Sequence, residues 1–267
     1  MVPVVNYDAA TMNLQAINNI KEDVCMQAFA HTDKGFLRMN NQDYIYSLPC
    51  ETGALPNLFI VADGMGGHLG GDYASKYAVT RIVELIQATD TSDNMIETVD
   101  GIIQQVNKEL YEKASEDEAL LGMGTTLVLC FVKDGMVYAA NVGDSRLYII
   151  NDSGIRQITH DHSLVDELVA SGSIEKNSST YFQKKNVITR AVGAAPRVCV
   201  DYFEAELDKD DILLLCSDGL SNMVSDEMIK EIVNDRKDDL EECAASLVHM
   251  ANYNGGTDNI SVIVVKE

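Results

Sequence analysis

The sequence of 267 residues predicts an α+β fold, a four-layer α-β-β-α sandwich with two central, mainly antiparallel sheets. Three observations predict it. Runs of branched and aromatic residues are separated by hairpin-sized turns, which favours antiparallel pairing. Helical stripes carry their apolar residues on one side only, so each helix must bury that face against a sheet. The order runs from strands to two helices, many strands, two helices and a last strand, which stacks helices outside the sheets.

Residues 1–23 are polar and weakly patterned and read as a lead-in. One domain is expected over 24–267, because no low-complexity stretch or linker interrupts it. A first strand fits 26–30, followed by the turn Asp33-Lys34-Gly35. Further strands fit 44–48 and 58–62. Helices fit 72–87 and 93–113, the second with Val99, Ile102, Ile103, Val106 and Leu110 on one face. The acidic stretch 115–118 reads as a solvated helix end. A β block follows at 126–132, 136–142 and 146–150, with turns at Lys133-Asp134-Gly135 and Asn151-Asp152-Ser153-Gly154. A short helix fits 161–171. The polar stretch 172–186 is the candidate for a mobile flap. Strands at 198–206 and 211–216, helices at 225–235 and 238–252, and a strand at 260–265 close the chain.

The formal net charge is −22. A nucleic-acid groove or an anionic membrane surface would need Lys and Arg, so both are excluded. Most of the acid reads as a solvated surface, although a carboxylate-rich mouth also concentrates divalent cations. None of the six cysteines forms a Cys-x-x-Cys pair, and several lie in apolar runs. They are expected to be buried, reduced thiols in a cytoplasmic protein. No apolar run approaches the roughly 18–20 residues of a membrane span, and no signal-peptide pattern opens the chain.

Three aspartates sit where an apolar run meets a turn: Asp63 after 58–62, Asp218 after 212–217 and Asp258 before 260–265. If the last strand runs antiparallel to the others, all three carboxylates reach the same rim of one sheet. Carboxylates crowded there repel one another unless a hard cation neutralises them. A single Asp-Gly corner is more often a plain turn; three in one chain favour a divalent metal centre. Gly64 can offer its backbone carbonyl to the same ion as Asp63. Asp144, in Asn141-Val142-Gly143-Asp144-Ser145-Arg146, is either a turn residue or a fourth carboxylate at that rim. Arg38 is either a surface arginine or a guanidinium that holds two phosphate oxygens. The chain lacks His-x-x-x-His, a phosphate-binding P-loop and a nucleophile elbow.

The ordered series Arg38…Asn41-Gln42-Asp43, Val61-Ala62-Asp63-Gly64-Met65-Gly66-Gly67-His68, Gly124-Thr125-Thr126, Asn141 to Arg146, Asp161-His162-Ser163, Ser217-Asp218-Gly219-Leu220 and Gly256-Thr257-Asp258-Asn259 resembles the metal-dependent, type 2C Ser/Thr protein phosphatases in their compact bacterial form. The resemblance covers roughly 25–267. It implies the same sandwich and hydrolysis of phosphoserine and phosphothreonine by direct attack of a metal-bridging hydroxide. It implies Mn²⁺ or Mg²⁺, two ions in a main site and a weaker third. Asp63 would bridge the main pair, with the Gly64 carbonyl, Asp218 and Asp258 completing it. Asp144 with Asp218 would hold the third ion. Arg38 would clamp the substrate phosphate, and a flap over about 172–189 would shape access. Phosphorylated Ser/Thr proteins, an opposing Ser/Thr kinase, a signalling role and a cytoplasmic monomer are further expectations. The sequence departs from the animal members of the family at Gln42, where they carry an acid, and at Met65, where they place a histidine. His68 does not inherit that histidine's place by alignment. The rival readings are a catalytically silent metal-binding signalling module and a different metallohydrolase such as a nuclease.

Overall fold

The computed structural model describes residues 26–66, 70–90, 94–175, 178 and 187–267. The lead-in over 1–23, His68 and most of the expected flap lie outside the described residues. In chain order the elements are β1 (Gln27–Asp33), β2 (Asp43–Leu48), β3 (Leu58–Met65), α1 (Gly70–Gln87), α2 (Met95–Glu116), β4 (Gly124–Thr125), β5 (Leu127–Lys133), β6 (Met136–Val142), β7 (Arg146–Asn151), β8 (Gly154–Gln157), α3 (Leu164–Ala170), β9 (Asp201–Glu206), β10 (Ile212–Cys216), α4 (Asp218–Ser221), α5 (Asp226–Arg236), α6 (Leu240–Tyr253) and β11 (Ile260–Lys266).

Two antiparallel sheets form. One has the order β1-β11-β10-β7-β8, the other β2-β3-β5-β6-β9 with β4 attached to β3. Side chains alternate along each central strand, so both faces of each sheet are buried. In β3, Leu58, Ile60 and Ala62 face α1 and α2, while Phe59 and Val61 face the opposite sheet. In β10, Ile212, Leu214 and Cys216 pack with α5 and α6, while Leu213 and Leu215 point inward. Helix, sheet, sheet and helix layers are thus separated by three apolar cores, the four-layer sandwich that the sequence predicts.

Three helices start a few residues later than expected for one physical reason. Asn94, Ser163 and Asp239 each accept a backbone N–H from the first turn and therefore sit outside the helix as its cap. β8 was not expected. It carries one branched apolar residue, Ile155, and exists because the Asn151–Gly154 turn folds it back onto β7.

Two expectations are corrected. Asp63 belongs to one sheet, whereas Asp218 and Asp258 flank strands of the other. The carboxylates therefore converge from the matching ends of two stacked sheets, because the sandwich, not one ladder, brings those ends together. Cys50 is disulfide-bonded, so the thiols are not all reduced; Cys130, Cys216 and Cys243 are free and buried, whereas Cys199 is free but exposed, so the thiols are not all buried either.

Buried Asn57, just before β3, clips that strand to β5: its Nδ2 donates to Val132 O (2.9 Å) and its Oδ1 accepts from Val132 N (2.8 Å). Asn57→Ala leaves both backbone groups unsatisfied and should cost about 2–3 kcal/mol. The thermal midpoint should drop by about 5–10 °C. An unchanged midpoint in a thermal melt followed by circular dichroism would refute this role.

Candidate metal centre

Asp63 lies within β3, because Gly64 and Met65 continue the strand by pairing with Thr125 and Gly124. Asp43, the first residue of β2, stands directly opposite Asp63 in the ladder. Asp144 sits in the crossover from β6 to β7, which passes from one sheet to the other. Asp218 opens α4 after β10, and Asp258 precedes β11. Five carboxylates thus gather at one end of the sandwich.

The backbone around Asp63 is held from both sides. Its N–H donates to Thr126 Oγ1 (2.9 Å), and its carbonyl accepts from Thr125 Oγ1 (2.9 Å) and Thr126 N (2.8 Å). Ser145 in turn bonds Thr126 Oγ1 at 2.7 Å, which ties the Asp144 crossover to Asp63. The Gly124-Thr125-Thr126 motif is therefore a clamp on the strand that carries Asp63. Gly71, at the start of α1, packs onto the Gly64 carbonyl so closely that a Cβ would lie 2.5 Å from that oxygen. Asp218 Oδ2 accepts from Asn222 Nδ2 (2.9 Å), and Asp43 Oδ2 accepts from Ser217 Oγ (2.8 Å).

Burial pushes the Asp63 carboxyl well above the ordinary carboxylate range, and the charges of Asp43, Asp218, Asp144 and Asp258 push it further. Burial likewise pushes Asp43 up to about 7, with Asp218 and Asp258 adding to the rise and hydrogen bonds from serines opposing it. Asp144 is pushed up to about 8 by burial and by the charges of Asp218 and Asp161. Asp43 Oδ1 is buried and has no hydrogen-bond partner. Buried oxygen donors that destabilise one another's charge fit a hard divalent cation. Among the described residues no group of three or more His, Cys, Asp or Glu side chains stands close enough, as placed, to hold a metal ion.

Arg38 Nη2 donates to Asp258 Oδ2 at 2.7 Å. The arginine expected to face substrate phosphate therefore neutralises an expected metal ligand instead. Its side chain is half exposed, so it is free to turn outward.

The sequence profile of the family described as Protein phosphatase 2C matches residues 31–252. The chain belongs to the protein phosphatase 2C family. Serine/threonine phosphatase stp of Listeria innocua is 40% identical over 249 residues, covering 90% of this chain and 96% of its own. Protein phosphatase PhpP of Streptococcus pneumoniae is 36% identical, covering 88% and 94%. The crystal structure of Stp1 from Staphylococcus aureus superimposes with a TM-score of 0.84 at 34% identity, covering 91% of this chain and 96% of that one. That of Mycobacterium tuberculosis PstP/Ppp gives 0.80 at 31% identity, covering 91% and 99%.

Asp258 lies beyond the residues that the 2C profile matches, so its place in the cluster rests on geometry: its ion pair with Arg38 and its charge acting on Asp63. Asp43 was missed as a site residue. Its signal was present in Asn41-Gln42-Asp43, but only the β2–β3 register places it opposite Asp63. His162, from the Asp161-His162-Ser163 motif, is buried. Its Nδ1 accepts from Gly143 N (3.1 Å), which leaves Nε2 protonated and directed at Asp201 Oδ2 (3.1 Å). Burial lowers its pKa. The backbone of His162 and Leu164 also fastens the C-terminal end of the expected flap. Thr189 N donates to His162 O (2.8 Å), and Leu164 N to Val187 O (2.8 Å).

The shifts of Asp43, Asp63 and Asp144 fix the sign of a pH effect in this 2C phosphatase. Their folded pKa values exceed the unfolded ones, so the folded state binds more protons between about pH 4 and pH 8. Stability from these groups is full at low pH and is lost as pH rises through their folded values. In chelator, the thermal midpoint should fall from about pH 4 to about pH 8 and level off above that, a window set by the ordinary carboxylate value and the folded values of about 7 and about 8. Mn²⁺ should remove most of that fall. A fall of equal size with and without Mn²⁺ in differential scanning fluorimetry would count against a cation among these carboxylates.

Proposed function

We propose that this 2C-type protein phosphatase hydrolyses phosphoserine and phosphothreonine esters in one step with Mn²⁺ or Mg²⁺. The ions would be held by Asp63, the Gly64 carbonyl, Asp218 and Asp258. The observation that carries the reading is the convergence of four carboxylates on Asp63 at the matching ends of the two sheets, where burial and their charges push its pKa up. Its Listeria relative, a serine/threonine phosphatase, supports the substrate class. When bound, the ions supply a water of lowered pKa and neutralise charge on the phosphoryl group.

The chain's own residues supply the rest. The Thr125–Thr126 clamp keeps Asp63 in place, and Asp43 backs it from the neighbouring strand. Asp144 together with Asp218 would hold a third, weaker ion. Arg38, released from Asp258, would bind two phosphoryl oxygens. The three buried free thiols are disfavoured as nucleophiles. Burial pushes Cys216 and Cys243 up to about 12 and Cys130 higher still, so none of them offers a thiolate near neutral pH. One-step hydrolysis needs no phosphoenzyme.

Residues 24–267 would form the phosphatase domain, with 1–23 as lead-in and about 172–189 as the flap. A Ser/Thr kinase would oppose the enzyme in signalling, and the chain would act as a cytoplasmic monomer. No helix among the described residues is long and apolar enough to cross a membrane.

Turnover of p-nitrophenyl phosphate and of a phosphothreonine peptide should require Mn²⁺ and stop in chelator. Asp63→Asn and Asp218→Asn should each lower kcat by about 10³-fold or more while the far-ultraviolet circular dichroism stays unchanged. Full turnover in either variant would defeat the assignment. Arg38→Ala should lower kcat/KM by about 10–100-fold, the worth of a charged bidentate contact; steady-state kinetics on the peptide reads it directly.

A further inference from the structure

The loop 34–42 between β1 and β2 carries Arg38, and it also carries the densest group of exposed apolar side chains in this part of the chain. Phe36 is 71% exposed, Leu37 69% and Met39 89%. Scattered exposed apolar residues are ordinary. These are different because their backbone is fastened. Gly35 takes a left-handed φ of +73° and lies so close to the Asp258 carbonyl that a Cβ would come within 2.2 Å of it. Phe36 N and Leu37 N donate to Gly256 O (2.8 and 3.3 Å). The buried Asn259 amide donates to Lys34 O (2.9 Å) and Asn40 O (3.0 Å), and its Oδ1 accepts from Gln42 N (2.8 Å). Fixed backbone with apolar side chains held in solvent is a preorganised contact surface, because little ordering entropy remains to be lost on binding.

Building on the phosphatase reading above, we propose that Leu37 and Met39, with Phe36, form the docking rim for the residues that flank the phosphorylated side chain, and that the preferred substrate carries apolar flanks there. The position of Arg38 selects this occupant. It stands between Leu37 and Met39 in the chain, so a phosphate held by its guanidinium brings the adjacent peptide residues over these side chains. The net charge of −22 selects against acidic flanks, and no basic side chain in the loop other than Lys34 and Arg38 would attract them.

The test compares two phosphothreonine peptides that differ only in their flanking residues, Leu and Val in one and Ser and Gly in the other. Both are run on the full chain with Mn²⁺, alongside p-nitrophenyl phosphate, which has no flanks. The parent should prefer the apolar peptide by about tenfold in kcat/KM, chiefly through KM, as expected for partial burial of two apolar side chains. Leu37→Ser combined with Met39→Ser should erase that preference and leave kcat and KM for p-nitrophenyl phosphate unchanged, which also shows that the variant folds. Equal KM values for the two peptides in the parent, or a preference that survives in the double variant, would overturn the docking rim while the hydrolase reading stands. Absence of p-nitrophenyl phosphate turnover in the parent would overturn the hydrolase reading, and the rim with it.

Discussion

Five acidic side chains at one end of the sandwich repel one another, and the surrounding structure is arranged to hold them there regardless. Burial alone disfavours the ionised form of Asp63, and four neighbouring carboxylates disfavour it further. A chain selected only for stability would not keep such a group. Replacing buried charges with apolar residues of similar volume is commonly neutral or favourable. The cluster is a local violation of the rules the rest of the molecule obeys, and such violations concentrate at functional sites. A divalent cation resolves the conflict, which is why the electrostatics and the 2C family lead to the same chemistry.

The scaffold tolerates this strain because it is overdetermined everywhere else. The inner core between the sheets is built from Phe59, Val61, Val128, Leu147, Leu213, Leu215, Ile263 and Val265, and it fixes how the strand ends register across the sandwich. Hydroxyl side chains then hold individual positions. Thr126 meets both Asp63 and Ser145, and so links a strand of one sheet to the crossover that leads into the other. Ser217 donates to Asp43 and accepts from Ser261 N (3.0 Å), joining a β2 carboxylate to the β10–β11 end of the opposite sheet. Small polar side chains at sheet ends thus turn two separate ladders into one rigid platform.

Much of this was legible in the sequence. Continuous apolar runs such as 58–62 and 212–216 announce strands buried on both faces, and the 99–110 stripe announces a helix that covers one of them. Asp63, Asp218 and Asp258 stood out because each sits where an apolar run stops. What the sequence does not carry is register. The pairing of Asp43 with Asp63 depends on how β2 lies against β3, and one residue of slip would turn Asp43 to the other face. The assignment of the aspartates to a single sheet failed for the same reason, since strand order follows from long-range pairing. The ion pair of Arg38 with Asp258 was likewise invisible, because it joins residues 220 positions apart.

That ion pair shows how the two halves of the site are connected. Asn259 follows Asp258 directly, and its buried amide grips both ends of the loop that bears Arg38. The distance between an expected metal ligand and the expected phosphate-binding arginine is therefore set by contacts within one fastened unit, the Asn259 amide together with the Gly256 carbonyl, not by two independently folded segments. With Arg38 on Asp258, the two neutralise each other. A cation that takes Asp258 leaves the guanidinium without its carboxylate, and a phosphate dianion is then its natural partner. Because the loop backbone stays fastened in either arrangement, the exchange needs only a side-chain rotation at Arg38, a motion of the fastest class available to an exposed residue. The same fastening holds the backbone of Leu37, next to Arg38 in the chain, while the guanidinium turns, so the proposed peptide contact and phosphate contact would come from one fixed stretch of backbone.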